Sequence, residues 1–127
     1  MSASISRMGL VAMVAAAALL LGSGEIRAQD AAVVNANTVT VKVDNAQVRV
    51  LEAVLPPGAQ EKPHSHPASV FYVIEGGKVR NHLSDGKLTE AELVAGQATY
   101  RDATTHWAEN IGTTTIRLVI VELKEHP

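Results

Sequence analysis

Gly58-Ala-Gln-Glu-Lys-Pro-His64-Ser-His66-Pro67 decides how this chain is read. Pro63 and Pro67 push the residues before them toward extended geometry and remove two backbone donors, which makes the segment a short strand at a rim or mouth. Side chains alternate between the two faces of an extended chain, so His64 and His66, at i and i+2, point the same way and can reach one ion. Strand signals continue outward in both directions. Upstream, Val39, Val41 and Val43 alternate with polar residues, and Val48 and Val50 resume the pattern after Asp44-Asn45. Downstream, Val70 to Ile74 is a β-branched and aromatic run, Val79 to Leu83 follows Gly76-Gly77, and Ser84-Asp85-Gly86 marks a further turn. Ile116 to Leu123 alternates branched apolar residues with Arg117 and Glu122. Leu88 to Leu93 has helical composition, but its length and the flanking Gly86 and Gly96 favour a strand. Seven or eight short strands separated by Gly, Pro and Asp turns predict an all-β sandwich or barrel, and closing the sheet removes its exposed edges.

A second chemical cluster lies in Tyr100-Arg-Asp-Ala-Thr-Thr-His106-Trp107-Ala-Glu-Asn110. His106 follows a polar turn and opens another strand, which makes a third imidazole available. The remaining polar and aromatic residues receive plainer assignments. Tyr100 and Trp107 are expected to fill the core, and Asn110 to satisfy backbone groups at a turn or strand end. Glu75 is expected to be a surface charge beside the turn, and His126 to lie in an exposed tail. Asn81 shares a face with Val79 and Leu83, which points an amide into the barrel and leaves His82 facing outward.

These residues resemble a known family. Gly58 through Gly77 is similar to the first cupin motif, and Gly96 through Asn110 to the second, in which a histidine precedes an asparagine by four positions. The resemblance spans about residues 38–124 and includes the paired histidines, Tyr72-Val-Ile-Glu-Gly76, and His106 with Asn110. It implies a small jelly-roll barrel with a divalent metal held inside by His64, His66 and His106, a set that a glutamate normally completes. This chain departs from that pattern. Val70 stands four positions after His66, while alignment on Tyr72-Val-Ile-Glu-Gly76 places Ser69 at the carboxylate position, and neither residue supplies an anionic ligand. The segment is one residue shorter than the common version, and the second motif lacks its usual proline and glycine. The closing Val121-Glu122-Leu123-Lys124 resembles a subgroup of small cupins that includes a protein named for β-alanine degradation.

Three neutral imidazoles leave a bound divalent ion its full charge, which favours anionic ligands at its open positions. Zinc in such a site lowers the pKa of bound water to about 7, and iron(II) takes oxygen and a chelating substrate on neighbouring positions. Iron, manganese, zinc and nickel all remain open as the ion. Two functions follow. One is a metal-dependent enzyme on a small anionic or chelating molecule, dioxygenase-like or of isomerase or lyase type. The other is a noncatalytic binding or sensing cupin with a degenerate metal site.

Composition limits the alternatives. A chain of 127 residues has room for one domain, and with no cysteine it has no disulfide, thiolate metal site or cysteine nucleophile. Eleven basic residues against thirteen acidic ones, with no dense basic block, set nucleic acid aside as a partner. Arg7, the apolar stretch Met8 to Gly22 and the small residue Ala28 follow the order of a secretory signal peptide. The expected organisation is therefore a signal peptide over residues 1–28, an N-terminal linker over 29–37 and a cupin domain over 38–127. The implied location is periplasmic or secreted, with no membrane association after cleavage. Loss of Arg7, Arg27 and Glu25 leaves nine basic and twelve acidic residues, a net of −3 over 99 residues. A domain that small, without disulfides, gains from burying more surface, so a homodimer is expected.

Overall fold

The computed structural model describes residues 29–125; the expected signal peptide over 1–28 and His126 lie outside the described residues. A single helical turn, α1 (Ala31–Val34), precedes nine strands: β1 (Val39–Asp44), β2 (Val48–Leu55), β3 (His64–His66), β4 (Ser69–Glu75), β5 (Gly77–Leu83), β6 (Leu88–Leu93), β7 (Ala98–Arg101), β8 (Thr104–Asn110) and β9 (Ile116–Leu123). They form two antiparallel sheets, one in the order β1-β2-β9-β4-β7 and the other β3-β8-β5-β6. Neighbours that are distant in sequence give the jelly-roll arrangement that the strand pattern predicts.

The core follows from period-two alternation. Leu51, Ala53 and Leu55 of β2 lie opposite Ile120, Leu118 and Ile116 of β9, and their side chains share the inner face. Val39, Val79 and Ala108 join them. Burying a Leu or Ile side chain contributes about 1.5–3 kcal/mol, so this register is held by the residues it hides. Gly86 adopts φ +88°, a conformation costly for any side chain, where the β5–β6 hairpin turns and its N–H bonds Leu83 O. At Gly76 a Cβ would stand 2.1 Å from Leu93 O, so only glycine lets the link between β4 and β5 pass that close to the end of β6.

Several expectations change. β6 is a strand, but nearly all of it is exposed because it pairs only with β5; its helical composition and its Glu90 and Glu92 suit a charged sheet edge. Tyr100 is not in the core: β7 is also an edge strand, and it turns Tyr100 outward (59% exposed) and Arg101 inward. Trp107 lies on the outer face of its sheet and stacks flat on His82, with ring centroids 3.5 Å apart. Residues 29–37 do more than link. Ala31 is fully buried against the barrel, Asp30 caps α1 by accepting from Ala32 N–H at 2.9 Å, and its other oxygen pairs with Arg49 at 2.6 Å.

Candidate metal centre

Strand pairing assembles the three histidines. β3 pairs with β8 so that His64 lies directly opposite His106, and His66, two residues along, shares the same face. All three are buried, and their candidate ligand nitrogens lie within 4.8 Å of one another. Ring centroids are 4.8 Å apart for His64–His66 and His64–His106, and 5.4 Å for His66–His106. Ser65, between the paired histidines, points the other way and bonds Thr105 Oγ1 at 2.7 Å.

Each imidazole has one nitrogen already committed. His66 Nδ1 donates to Glu122 Oε2 at 2.7 Å, and His106 Nδ1 to Asn81 Oδ1 at 3.1 Å. His64 Nδ1 donates to Lys62 O at 2.7 Å, and the Asn35 amide, whose Nδ2 lies 3.0 Å from that same ring nitrogen, holds the carbonyl in place by bonding both polar groups of the Lys62 backbone. With the proton on every Nδ1, every Nε2 presents a lone pair. His64 Nε2 and His66 Nε2 then face each other at 3.0 Å, and buried His106 Nε2 has no hydrogen-bond partner. Lone pairs brought together in this way repel unless a cation or proton lies among them, so this donor set fits a divalent ion. Protonation states agree. Burial drives the His64 pKa down to about 4; burial and the nearby Arg101 charge drive that of His106 to about 2. Both rings are neutral at pH 7, the form that ligates metal.

A chain of charges supports the site from behind. Glu122 is 2% exposed, and burial disfavours its ionised form, but hydrogen bonds from His66 and Arg49 outweigh this and hold its carboxyl below the usual range. Arg49 spans Glu122 at 2.7 Å and Asp30 at 2.6 Å, which ties α1 to His66 through three side chains.

In front of the histidines lies a small cavity of about 60 Å³ with an open mouth. Its walls are apolar, with Phe71, Leu118 and Ile120 among them; its polar lining comprises His66, His106, Asn81, Glu61 and Arg101. Glu61 Oε1 accepts from Ala108 N–H at 3.0 Å; burial pushes its carboxyl up to about 7, against the pull of that hydrogen bond and of Arg101. The Arg101 guanidinium lies 5.5 Å over the Phe71 ring, its pKa lowered by burial despite the Glu61 and Glu122 charges, and its Nε has no partner.

The sequence-predicted residues therefore divide. His64, His66 and His106 converge, and Asn81 joins them as a cavity residue that orients His106. Asn110 is structural: its amide donates to Leu55 O and Thr114 O and accepts from Gly112 N–H. Glu75 stays on the surface beside Arg117, and His82 faces outward against Trp107. Glu61, Arg101, Glu122 and Asn35 are functional neighbours that the motif reading passes over. Glu122 had a signal: it falls on the same alternating face as Ile116, Leu118 and Ile120. Four-residue β7 gives too little alternation to choose between Tyr100 and Arg101.

Comparison with known proteins agrees with this geometry. No curated protein matches the chain. Among solved structures it is similar to a cupin domain from Bordetella pertussis Tohama I, with 27% identity and a TM-score of 0.63 over 68% of this chain and 92% of that one. It is also similar to an uncharacterized conserved protein with a double-stranded β-helix domain from Klebsiella pneumoniae (24% identity, TM-score 0.55, covering 66% and 73%). An RmlC-like cupin family protein from Methanocaldococcus jannaschii shares the fold at 21% identity and a TM-score of 0.55, covering 67% and 77%. The family model described as cupin domain matches residues 51–122, more than half of the chain, including both histidine segments, and the chain accordingly belongs to the cupin family.

Proposed function

We propose that the protein is an extracytoplasmic, metal-dependent cupin enzyme acting on a small anionic or chelating molecule. The observation that carries this reading is the convergence of three buried imidazoles, each with its Nδ1 committed to an acceptor and its Nε2 turned inward. His64, His66 and His106 would hold the ion, which is iron, manganese, zinc or nickel. When bound, such an ion supplies Lewis-acid or redox chemistry at its open positions. The chain's own residues do the rest. Asn81, Glu122 and Lys62 O orient the three rings, the apolar walls restrict water, and the Glu61 carboxyl sits in the same cavity with a proton affinity suited to exchange near neutral pH. A noncatalytic binding module needs only a shaped cavity; Glu61 favours the enzyme, of dioxygenase-like or isomerase/lyase type.

Extracytoplasmic location rests on the order of Arg7, the apolar stretch and Ala28. Membership of the subgroup that includes a β-alanine degradation protein rests on Val121-Glu122-Leu123-Lys124, whose Glu122 backs His66. A homodimer rests on the small size of the domain and on an apolar outer sheet face.

The test is metal content by mass spectrometry of untagged protein, alongside His106→Ala and His82→Ala. Near one metal per chain in the wild type and His82→Ala, lost in His106→Ala, is the expected result. Equal metal content in all three proteins would overturn the centre.

A further inference from the structure

We propose that Arg101 is the anchor of a carboxylate subsite beside the three histidines, and that the ligand is a small monocarboxylate with an apolar body. This deepens the reading of the cavity as a ligand site, but it does not depend on the metal.

Arg101 makes no ion pair of 4.0 Å or less among the described residues, and its buried Nε–H has no acceptor. Directly across the ladder stands Ser69, fully buried on the inner face of β4, and its Oγ also lacks a partner. Two adjacent donors are thus withheld from water with nothing to receive them, an arrangement that folded proteins avoid unless something else completes it. The nearby carboxylates do not fill this role. Both oxygens of Glu122 are taken, one by Arg49 Nε and one by His66 Nδ1. Glu61 Oε1 is taken by Ala108 N–H, and burial favours its neutral form.

A planar guanidinium with a free edge matches a carboxylate, which can accept two parallel hydrogen bonds from it. Phe71 beneath the guanidinium limits how it can turn. The body of the ligand is specified by the apolar part of the wall, to which Phe71, Val79, Leu118 and Ile120 contribute. A second carboxylate or a hydroxyl placed against these side chains would be desolvated without compensation, whereas an aliphatic or aryl tail would be buried favourably.

The experiment is an NMR titration of the protein after chelator treatment, following the Arg101 Nε–H signal, with 3-methylbutanoate and its uncharged amide as probes. The acid is expected to move that signal saturably and to bind at least about tenfold more tightly than the amide, a difference typical of a charge-assisted pair. Arg101→Gln should lose the preference, while Arg101→Lys, which keeps the charge but not the fork, should retain part of it. Equal binding of acid and amide, or unchanged preference in Arg101→Gln with the fold intact by its amide spectrum, would overturn the subsite. Metal content measured on the same preparations before chelator treatment separates the two readings. Carboxylate preference without metal uptake upholds the subsite and overturns the metal centre, and metal uptake without carboxylate preference does the reverse.

Discussion

At the scale of single residues, the site opposes two kinds of buried titratable group. Burial depresses His64 and His106 below their ordinary range, so the folded chain binds fewer protons there than the unfolded chain and stability falls as pH drops below about 6.5. Glu61 works in the opposite sense. Its carboxyl is raised from 4.5 to about 7, so between those values the folded state holds more protons than the unfolded one. The stabilisation Glu61 contributes is complete below about 4.5 and is lost as pH rises through 7. Gln imitates the neutral acid, and its Oε1 can still accept the Ala108 N–H. Glu61→Gln should therefore leave the histidine contribution unopposed, and metal-free stability from urea unfolding should rise more steeply from pH 5 to pH 7 than in the wild type. Parallel profiles for the two proteins would show that Glu61 is ionised throughout.

At the scale of elements, legibility in the sequence tracked regular alternation. The i, i+2 spacing of His64 and His66 was enough to place both on one face, and Pro63 and Pro67 marked the strand as short. The opposition of His64 to His106 was not legible from spacing, because they stand 42 positions apart and meet only through the pairing of β3 with β8. Residues 29–37 were harder still. Their polar and small residues read as linker, yet burial of Ala31 and the side-chain bonds of Asp30 and Asn35 dock them against β3. Asn35 is the sharpest case. It is 2% exposed, accepts Lys62 N–H at 2.7 Å and donates to Lys62 O at 3.2 Å, so it fixes the carbonyl that orients His64. Asn35→Ala should cost about 1–3 kcal/mol of stability by leaving the Lys62 N–H without its acceptor and removing the buried amide beside His64 Nδ1. It should also weaken metal binding by about 10–100-fold, the usual effect of removing an outer partner of a ligand. Urea unfolding of the metal-free protein and a competitive metal titration measure the two effects separately. A stability loss with unchanged metal affinity would show that His64 keeps its orientation without this support.

At the scale of the whole molecule, the two sheets present different backs to solvent. The free edge of the four-stranded sheet, β6, carries exposed Glu90 and Glu92 and is unsuited to pairing. The outer face of the five-stranded sheet has another character. Val43, Val50, Val121, Val70 and Tyr100 lie in one register row that crosses all five strands, and Tyr72 follows on the same face of β4. Tyr72 and Tyr100 are 48% and 59% exposed, large apolar side chains side by side where the barrel itself offers no cover. Such a patch on a small domain without disulfides is what a second copy of the same chain would bury, face against face about a twofold axis. Since these residues point away from the cavity, the site and the association can be varied independently. The wild type is expected to sediment as a dimer, and Tyr72→Glu combined with Tyr100→Glu to sediment as a monomer with its metal content unchanged. A monomeric wild type at concentrations of about 100 μM, where even weak association of roughly 5.5 kcal/mol at 25 °C would be visible, would rule out the homodimer.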